Sequence, residues 1–290
     1  MLTPEQIEFF DKNGYLHLPA VLSPVELTGL QNAADSLMAS IPKLPPQWQN
    51  DFKYGALVGD QIGEGNILCR MEYSLQKDPR FLALLGNPNI LALAGILHRD
   101  SALLTWEDMI IKMPGSGFPV PFHQDKLYQS LRSRVFSIGI YLDDSPNDPL
   151  QIIPGTQRLG PLTQQDIESI VTTRQNEIVE VPAKAGDFIV HNVLAIHGSR
   201  DNRGHLLRRV IYFEFRTISQ VLNDSPWDKS WMEKRLKLVP EAIRLRKELG
   251  MVASDSALAW SEAKKLSHYW SPPCGYFDNP GNVELRVPHD

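Results

Sequence analysis

Between residues 103 and 216 the chain is a succession of short apolar or β-branched runs separated by turn signals. The turns contain Pro, Gly, Asn and Asp, as in Asn147-Asp148-Pro149 and Pro154-Gly155-Thr156. Many short strands with such turns between them are typical of an antiparallel sandwich or barrel. The predicted strands cover residues 103–113, 134–142, 150–153, 176–182, 188–196 and 208–216.

Helices are predicted on both sides of this β region. Thr3 and Ser23 each precede a proline and a run with helical periodicity, which is typical of a helix start. The pattern predicts helices over 3–12, 23–39, 78–97 with a break at 86–88, 227–249 and 254–270, and a strand over 14–19. Residues 41–65 have no clear period, and we expect them to form a long loop that acts as a lid.

A length of 290 residues fits a single domain. We expect a mostly helical part with the lid loop over 1–100, a β core over 101–218, and a helical and aromatic extension over 219–290. The tail aromatics are expected to cover a sheet face. A wall of the substrate pocket and a homodimer contact are the alternative roles. These aromatic residues are Tyr269, Trp270, Tyr276 and Phe277.

Composition argues against several classes of function. The net charge is −5 and the basic residues are scattered, which gives no surface for nucleic acid. No apolar run is long enough to span a membrane, and the first residues lack the features of a signal peptide. Cys69 and Cys274 form neither a disulfide framework nor a zinc-ribbon spacing. We therefore expect a cytoplasmic protein with unreactive thiols and with no nucleic-acid or membrane partner.

The triplet His123-Gln124-Asp125 is the main candidate for metal binding. Pro119 and Pro121 forbid a helix here and favour extended backbone. In extended backbone alternate side chains share a face, so an imidazole and a carboxylate can converge on one ion. Two His and one carboxylate form the facial triad that holds non-haem Fe(II). A second triplet, His98-Arg99-Asp100, follows an apolar helical run, and we interpret it as a solvated helix end.

The third ligand should be a second His on a neighbouring strand. His197 and His191 are both candidates, because they lie an even number of residues apart in the region of one predicted strand and can share a face. His205 is expected in an exposed loop.

The last predicted strand has two different faces. Its odd positions, from Arg209 to Phe215, are mostly apolar, whereas the even positions include Arg208, Tyr212 and Glu214. One face should pack on helices and the other should face a polar space near His197. A guanidinium there would suit a dicarboxylate, since it binds carboxylates in bidentate fashion and stays charged when buried. An ordinary surface cation is the alternative.

Several motifs, in this order and spacing, resemble the phytanoyl-CoA dioxygenase family of Fe(II)/2-oxoglutarate oxygenases. The motifs are Phe10 to Leu18, Lys112 to Gly117, His123-Gln124-Asp125, Ile153 to Thr156, Gly186-Asp187, His197-Gly198-Ser199 with Asn202, and Arg208. The resemblance implies a double-stranded β-helix (jelly-roll) core with helices on one sheet. It also implies an enzyme that uses Fe(II), 2-oxoglutarate and O₂ to oxidise a small molecule, with release of succinate and CO₂.

The resemblance also implies roles for individual residues. His123, Asp125 and His197 would bind iron, while Arg208 and Ser199 would hold the distal carboxylate of 2-oxoglutarate. Tyr141 would line the cosubstrate pocket. A second group is expected to contact substrate or to support the ligands: Gln124, Arg70, Lys112 and His191.

Two other functions remain open at this stage. One is a metal-binding jelly roll that acts as a sensor or binding module without oxygenase activity. The other is a cupin-like isomerase or hydrolase that uses a different divalent metal and needs no dicarboxylate clamp. An acyl-CoA substrate is not favoured, because the sequence shows no run of cations suited to its phosphates.

Overall fold

The computed structural model describes residues 2–58, 61–99, 102–115, 118–125, 135–223, 227–255 and 257–265. The aromatic tail, Cys274 and Asp100 lie outside the described residues. The helices are α1 Pro4–Asn13, α2 Pro24–Ser40, α3 Pro46–Gln49, α4 Pro79–Leu85, α5 Pro88–His98, α6 Gln164–Thr173, α7 Ile218–Asn223, α8 Lys229–Leu236, α9 Leu238–Glu248 and α10 Ala257–Lys265. The strands are β1 Tyr15–Leu18, β2 Phe52–Tyr54, β3 Leu57–Val58, β4 Gln61–Ile62, β5 Leu68–Glu72, β6 Ala102–Lys112, β7 Val120–His123, β8 Phe136–Tyr141, β9 Leu150–Ile152, β10 Val179–Val181, β11 Phe188–Asn192, β12 His197–Ser199 and β13 Arg208–Thr217.

Two antiparallel sheets form the core. The large sheet has the order β1-β11-β8-β13-β6-β5-β2 and the small sheet has the order β10-β9-β12-β7. The sheets face each other, because side chains from β8, β11 and β13 pack against side chains from β9 and β10 in one buried cluster. A short hairpin joins β3 to β4. The architecture confirms the predicted fold class, which is mainly β with flanking helices and a jelly-roll core.

Helices cover the outer face of the large sheet. Ile211 and Phe213 of β13 are fully buried there in one cluster with Phe81 of α4 and Ile90 of α5. Each such side chain contributes about 1.5–3 kcal/mol through burial. The predicted alternation along 208–216 is therefore confirmed: odd positions face the helices, and even positions face the space between the sheets.

The first two helices begin where the sequence predicts. The Thr3 hydroxyl accepts from the backbone N–H of Gln6, and the Gln6 side chain accepts from the backbone N–H of Thr3. The Ser23 hydroxyl caps α2 in the same way, by accepting from the N–H of Glu26. Each cap satisfies a backbone donor that has no partner within the helix. Local chemistry thus decides these two starts.

Residues 41–65 differ from the prediction of a long loop. They form α3, β2 and the β3–β4 hairpin, and β2 extends the edge of the large sheet by pairing with β5. The sequence of this segment shows no clear hydrophobic period because each of these elements is only two to four residues long. Tertiary pairing stabilises these short elements.

The prediction of one strand over 188–196 is also wrong. The strand β11 ends at Asn192, whose side-chain carbonyl oxygen accepts from the N–H of Leu194, and the Ala195 N–H donates to the Asn192 carbonyl. An Asn side chain that bonds two residues ahead imitates a backbone turn. The chain therefore leaves the large sheet here and enters the small sheet as β12.

Two helix predictions need smaller corrections. Residues 227–249 form α8 and α9 with a break at Lys237, and Pro240 lies in the first turn of α9, where a proline is tolerated. Helix α5 ends at His98 as predicted, but His98 is buried and its ring lies 4.5 Å from that of Phe136. The prediction of a solvated helix end is therefore wrong for His98, which packs against the sheet, whereas Arg99 is exposed as expected.

Within the described ranges, no single helix is long and apolar enough to cross a membrane. Helices α4 and α5 meet the length and composition criterion only as a pair, across a bend of 42°.

Candidate metal and cosubstrate site

The triplet His123-Gln124-Asp125 lies at the end of β7. The backbone N–H of Asp125 donates to the carbonyl of Val193 at 2.9 Å, which fixes the chain just after the strand. His123 Nε2 lies 3.2 Å from Asp125 Oδ1. The imidazole and the carboxylate thus share one side of the chain, as the extended backbone predicts.

Strand β12 brings His197 beside this pair. His197 is the cross-strand partner of His123, and their ring centroids are 4.4 Å apart. His197 Nε2 lies 3.6 Å from Asp125 Oδ1, the same oxygen that faces His123. One donor atom from each of the three residues lies within 4.8 Å of the other two. Two strands of the small sheet therefore assemble two imidazoles and a carboxylate around one point.

Backbone carbonyls fix the orientation of both imidazoles. His123 Nδ1 lies 2.8 Å from the Pro121 carbonyl oxygen, and His197 Nδ1 lies 2.9 Å from the Ala195 carbonyl oxygen. A carbonyl only accepts, so each Nδ1 carries the proton and each Nε2 offers a lone pair. Metal-binding histidines commonly donate their other ring N–H to such a partner.

Electrostatics favour the protonation states that bind a metal. Burial lowers the pKa of His197 to about 3, Asp125 opposes this effect, and His123 and His191 add to it. His197 is therefore neutral near pH 7. Burial alone would raise the pKa of Asp125, but the neighbouring side chains of His197, His123 and His191 hold it well below its ordinary value. A neutral imidazole and an ionised carboxylate are the forms that ligate a divalent cation.

His191 contacts the cluster from the opposite sheet. Its Nε2 lies 2.9 Å from Asp125 Oδ2, the oxygen that does not face His123 and His197. His191 Nδ1 is buried and has no hydrogen-bond partner among the described residues. The two candidate histidines therefore lie in different sheets and not in one strand. They meet because the sheets face each other, with ring centroids 4.4 Å apart.

A cavity of about 200 Å³ opens between the two sheets at this cluster. The small sheet contributes the two imidazoles, and the large sheet contributes mainly polar side chains from five of its strands. The lining residues are Leu57, Arg70, Glu72, Trp106, Asp108, Ile110, Val120, His123, Asp125, Ser137, Leu150, His191, His197, Gly198, Ser199, Arg208, Tyr212 and Glu214. Leu57 belongs to the segment predicted to be a lid, so part of that segment does contact the cavity.

Arg208 lines the same cavity as the cluster of His123, Asp125 and His197. It is 3% exposed, and one terminal nitrogen donates to both the carbonyl and the carboxylate of Asp148, at 2.8 and 3.2 Å. Its Nε is buried without a hydrogen-bond partner among the described residues. The guanidinium carbon lies 5.5 Å from the centroid of the Tyr141 ring, whose buried hydroxyl interacts with Arg208 and Tyr212 and is not among the groups that line the cavity. Buried polar atoms usually have partners, so the Arg208 Nε indicates a ligand at this end of the cavity.

Ser199 lines the same cavity as Arg208 and contacts Lys112. Lys112 Nζ donates to Ser199 Oγ at 2.7 Å and also to the carbonyl of Arg200. Lys112 and Arg208 are direct cross-strand partners on β6 and β13. Ser199 and Arg208, predicted to hold the cosubstrate, therefore both line the cavity, while Lys112, predicted to contact substrate or to support the ligands, lies behind them and does not line it.

Gln124 is placed differently from the expectation that it contacts ligand or substrate. Its amide nitrogen donates to the carbonyls of Leu194 and Gly160, and its oxygen accepts from the N–H of Leu162. All of these bonds are to backbone of neighbouring loops, and Gln124 does not line the cavity. Alternation explains the difference: a residue between two inward-facing neighbours faces the other way.

Arg70 lines the cavity as expected, but it has a partner that the sequence did not reveal. Its Nε lies 3.2 Å from Asp108 Oδ2, and burial raises the pKa of Asp108 to about 6 despite the opposing charge of Arg70. Trp106 and Asp108 alternate along β6, and this period could have identified them. Asp148, in a turn, carries no comparable signal.

Comparison with known proteins places this geometry in context. Residues 10–210 match the family model described as Phytanoyl-CoA dioxygenase (PhyH). The methylphosphonate hydroxylase of Gimesia maris is 25% identical over 223 residues, which cover 76% of this chain and 82% of that protein.

Solved structures show the same fold. AviO1 from Streptomyces viridochromogenes has 26% sequence identity and a TM-score of 0.61, over 79% of this chain and 100% of that chain. EctD from S. alaskensis with bound Fe has 22% identity and a TM-score of 0.65, over 75% of this chain and 78% of that chain.

Proposed function

Since the chain belongs to the phytanoyl-CoA dioxygenase family and is an Fe(II)/2-oxoglutarate-dependent dioxygenase, we propose that His123, Asp125 and His197 bind its iron and that it oxidises a C–H bond of a small polar molecule. One observation carries this proposal. Three donors suited to Fe(II) and a buried guanidinium suited to a keto diacid line the same cavity.

The donor set fits a ferrous ion. Both histidines have their Nδ1 proton bonded to a backbone carbonyl, so both offer Nε2 to the same point. Asp125 Oδ1 lies 3.2 and 3.6 Å from these nitrogens, which leaves room for one ion between the three atoms. When bound, iron with 2-oxoglutarate and O₂ supplies the oxidation, in which the cosubstrate becomes succinate and CO₂ and a substrate C–H bond becomes an alcohol.

His191 would orient the carboxylate ligand. Its unpartnered Nδ1 and its short contact with Asp125 Oδ2 assign the ring proton to Nε2, which then donates to that oxygen. Such a bond leaves Oδ1 directed at the two histidine ligands. Partners of this kind tune metal affinity, and their removal typically costs about 10- to 100-fold.

Arg208 and Ser199 would hold the distal carboxylate of 2-oxoglutarate, and Tyr141 would support the guanidinium that it packs against. Among the described residues Arg208 Nε has no hydrogen-bond partner, and the Ser199 hydroxyl lines the cavity. A carboxylate would give the buried Nε the partner that it lacks, and its charge would be matched by the guanidinium. This arrangement favours an oxygenase over a cupin-like isomerase, which needs no such clamp.

The remaining space favours a small polar substrate. A drug-sized ligand usually needs a cavity of about 300–1,000 Å³, whereas this one measures about 200 Å³ and must also hold the cosubstrate. Its far end carries the Arg70–Asp108 pair and the indole of Trp106. An apolar chain there would leave a charged pair desolvated without compensation, so a long acyl group fits poorly.

The first test is an anaerobic titration with Fe(II) and 2-oxoglutarate. The chelate should give a weak visible charge-transfer band, and His123→Ala or His197→Ala should abolish it. His205→Ala is the matched control, because His205 is exposed outside the cavity and the band should survive its removal. A band that persists in both ligand variants would show that the iron ligands are other residues.

Turnover separates the oxygenase from a metal-binding module. In the presence of small polar molecules that perturb the band, the protein should form succinate in an iron-dependent way when O₂ is admitted. If molecules that perturb the band never give substrate-coupled succinate, a binding module is the better description.

A further inference from the structure

Lys112 has a buried ammonium in a position that the proposed ligand set does not use. Its side chain is 3% exposed, and it reaches from β6 to the end of β12, where Nζ donates to Ser199 Oγ and to the Arg200 carbonyl. Burying a lysine amine costs free energy unless a charge or several acceptors compensate it. Its position therefore needs an explanation in terms of nearby charge.

Cations outnumber anions around Lys112. Arg208 is its cross-strand partner, and the Asp148 carboxylate faces both cations, at 3.7 Å from Lys112 and 3.2 Å from Arg208. Asp201 also acts on Lys112, but its carboxylate is bonded to Arg203. Arg200 is paired with Glu180. The Asp148 carboxylate is therefore shared between two buried cations, Lys112 and Arg208, and this group of three side chains has a net charge of +1.

The hydrogen bond to Ser199 determines where that serine can donate. An ammonium only donates, so Ser199 Oγ accepts from Lys112 and its own proton must point elsewhere. Ser199 lines the cavity beside Arg208. The bond therefore leaves the serine proton available to a ligand carboxylate in the cavity, where the surplus charge would be neutralised.

We propose that Lys112 is a positioning residue for the cosubstrate: it orients the Ser199 hydroxyl and adds the second positive charge that selects a keto acid with a distal carboxylate. This inference rests on the proposed function and extends it to a residue outside the expected clamp. It implies that affinity for the distal carboxylate depends on the charge of Lys112.

That dependence should be visible near neutral pH. Burial and the Arg208 charge lower the pKa of Lys112 to about 7, while Asp148 and Asp201 oppose this effect. The free site therefore holds the cation below about pH 7 and loses it as the pH rises. Affinity for 2-oxoglutarate should fall with rising pH, whereas that for an otherwise similar keto acid without the distal carboxylate should not.

The test compares two keto acids in the Fe(II)-loaded protein under anaerobic conditions. The dissociation constants of 2-oxoglutarate and 2-oxopentanoate are measured from pH 6 to 9 by the charge-transfer band. Lys112→Met should weaken 2-oxoglutarate binding by roughly 10- to 100-fold, as expected for loss of a charged hydrogen-bonding group. It should leave 2-oxopentanoate binding nearly unchanged, which also shows that the variant is folded. Lys112→Arg should retain 2-oxoglutarate affinity and lose its pH dependence, because guanidinium does not titrate here.

The control is Lys184→Met, which removes an exposed lysine outside the cavity and should change neither constant. Equal weakening of both keto acids in Lys112→Met, with no rescue by Lys112→Arg, would assign Lys112 a purely structural role and overturn the inference. An unchanged constant for 2-oxoglutarate would overturn it as well. If the wild-type protein gives no band with either acid, the proposed function fails, and the inference falls with it.

Discussion

Gly198 separates His197 from Ser199 on β12 and faces β7 at very short range. A Cβ added at this position would lie 2.7 Å from the Val120 carbonyl oxygen and 3.2 Å from the Phe122 backbone nitrogen. Ordinary contact begins at 3.4 Å, and both neighbours are backbone atoms that cannot rotate away. In Gly198→Ala, therefore, β12 must move away from β7 by roughly 0.7 Å at its closest point.

Strand β7 carries His123 and strand β12 carries His197, so a movement between the strands changes the geometry of this pair. The register of β12 against β7 shifts between His197 and Ser199, so Gly198 lies at an irregularity beside the His197–His123 pair. Separating the strands moves one of the two proposed imidazole ligands relative to the other. Displacements approaching 1 Å can cost about 100-fold in function, and forced overpacking costs about 1–3 kcal/mol of stability. We expect iron affinity to fall by roughly 10- to 100-fold, as for other disturbances of ligand orientation.

The assay is an anaerobic Fe(II) titration of Gly198→Ala, with the free energy of unfolding measured in urea. Gly29→Ala is the matched control, because Gly29 lies in α2 and its added Cβ would meet only the flexible end of Arg80 at 3.9 Å. That control should keep full iron affinity and gain up to about 1 kcal/mol of stability from helix propensity. Wild-type iron affinity in Gly198→Ala would refute the argument that close strand contact sets the ligand geometry.

Two further changes test the support around the site. Burial would raise the pKa of Asp187, but hydrogen bonds from the N–H groups of Lys184 and Ala20 and the His17 side chain lower it overall. Because the folded pKa is the lower one, this carboxylate stabilises the fold above its unfolded pKa. That stabilisation is lost as the pH falls through the folded pKa. Asp187→Asn should therefore flatten the loss of stability as the pH falls below the ordinary carboxyl pKa of about 4, and an unchanged pH profile in thermal unfolding would contradict this. Gln124→Ala should cost about 2–4 kcal/mol in urea unfolding, because it leaves buried backbone groups of neighbouring loops without partners. A cost below about 1 kcal/mol would mean that water replaces those bonds.

Local chemistry in the sequence was enough to predict much of the framework. Caps at Thr3 and Ser23 determine where two helices begin, and the alternation along β13 separates a helix-facing side from a cavity-facing side. The extended backbone around His123 and Asp125 follows from the prolines before it. These features depend on neighbours within a few residues, so they can be predicted from the hydrophobic period and the residue types. The family resemblance added the fold and the reaction class, which the match over residues 10–210 supports.

Only the tertiary structure decided how distant residues meet. The break at Asn192 moved His197 into the small sheet and left His191 in the large one, and both then approached Asp125 from different sides. Asp148 and Lys112 likewise acquire their roles through contacts with Arg208 and Ser199 across long stretches of chain. Such contacts depend on register and on how two sheets face each other, and neither quantity is encoded by the period of any one strand. The identity and order of the candidate ligands are therefore written in the sequence, while their geometry and partners arise from the packing of the two sheets.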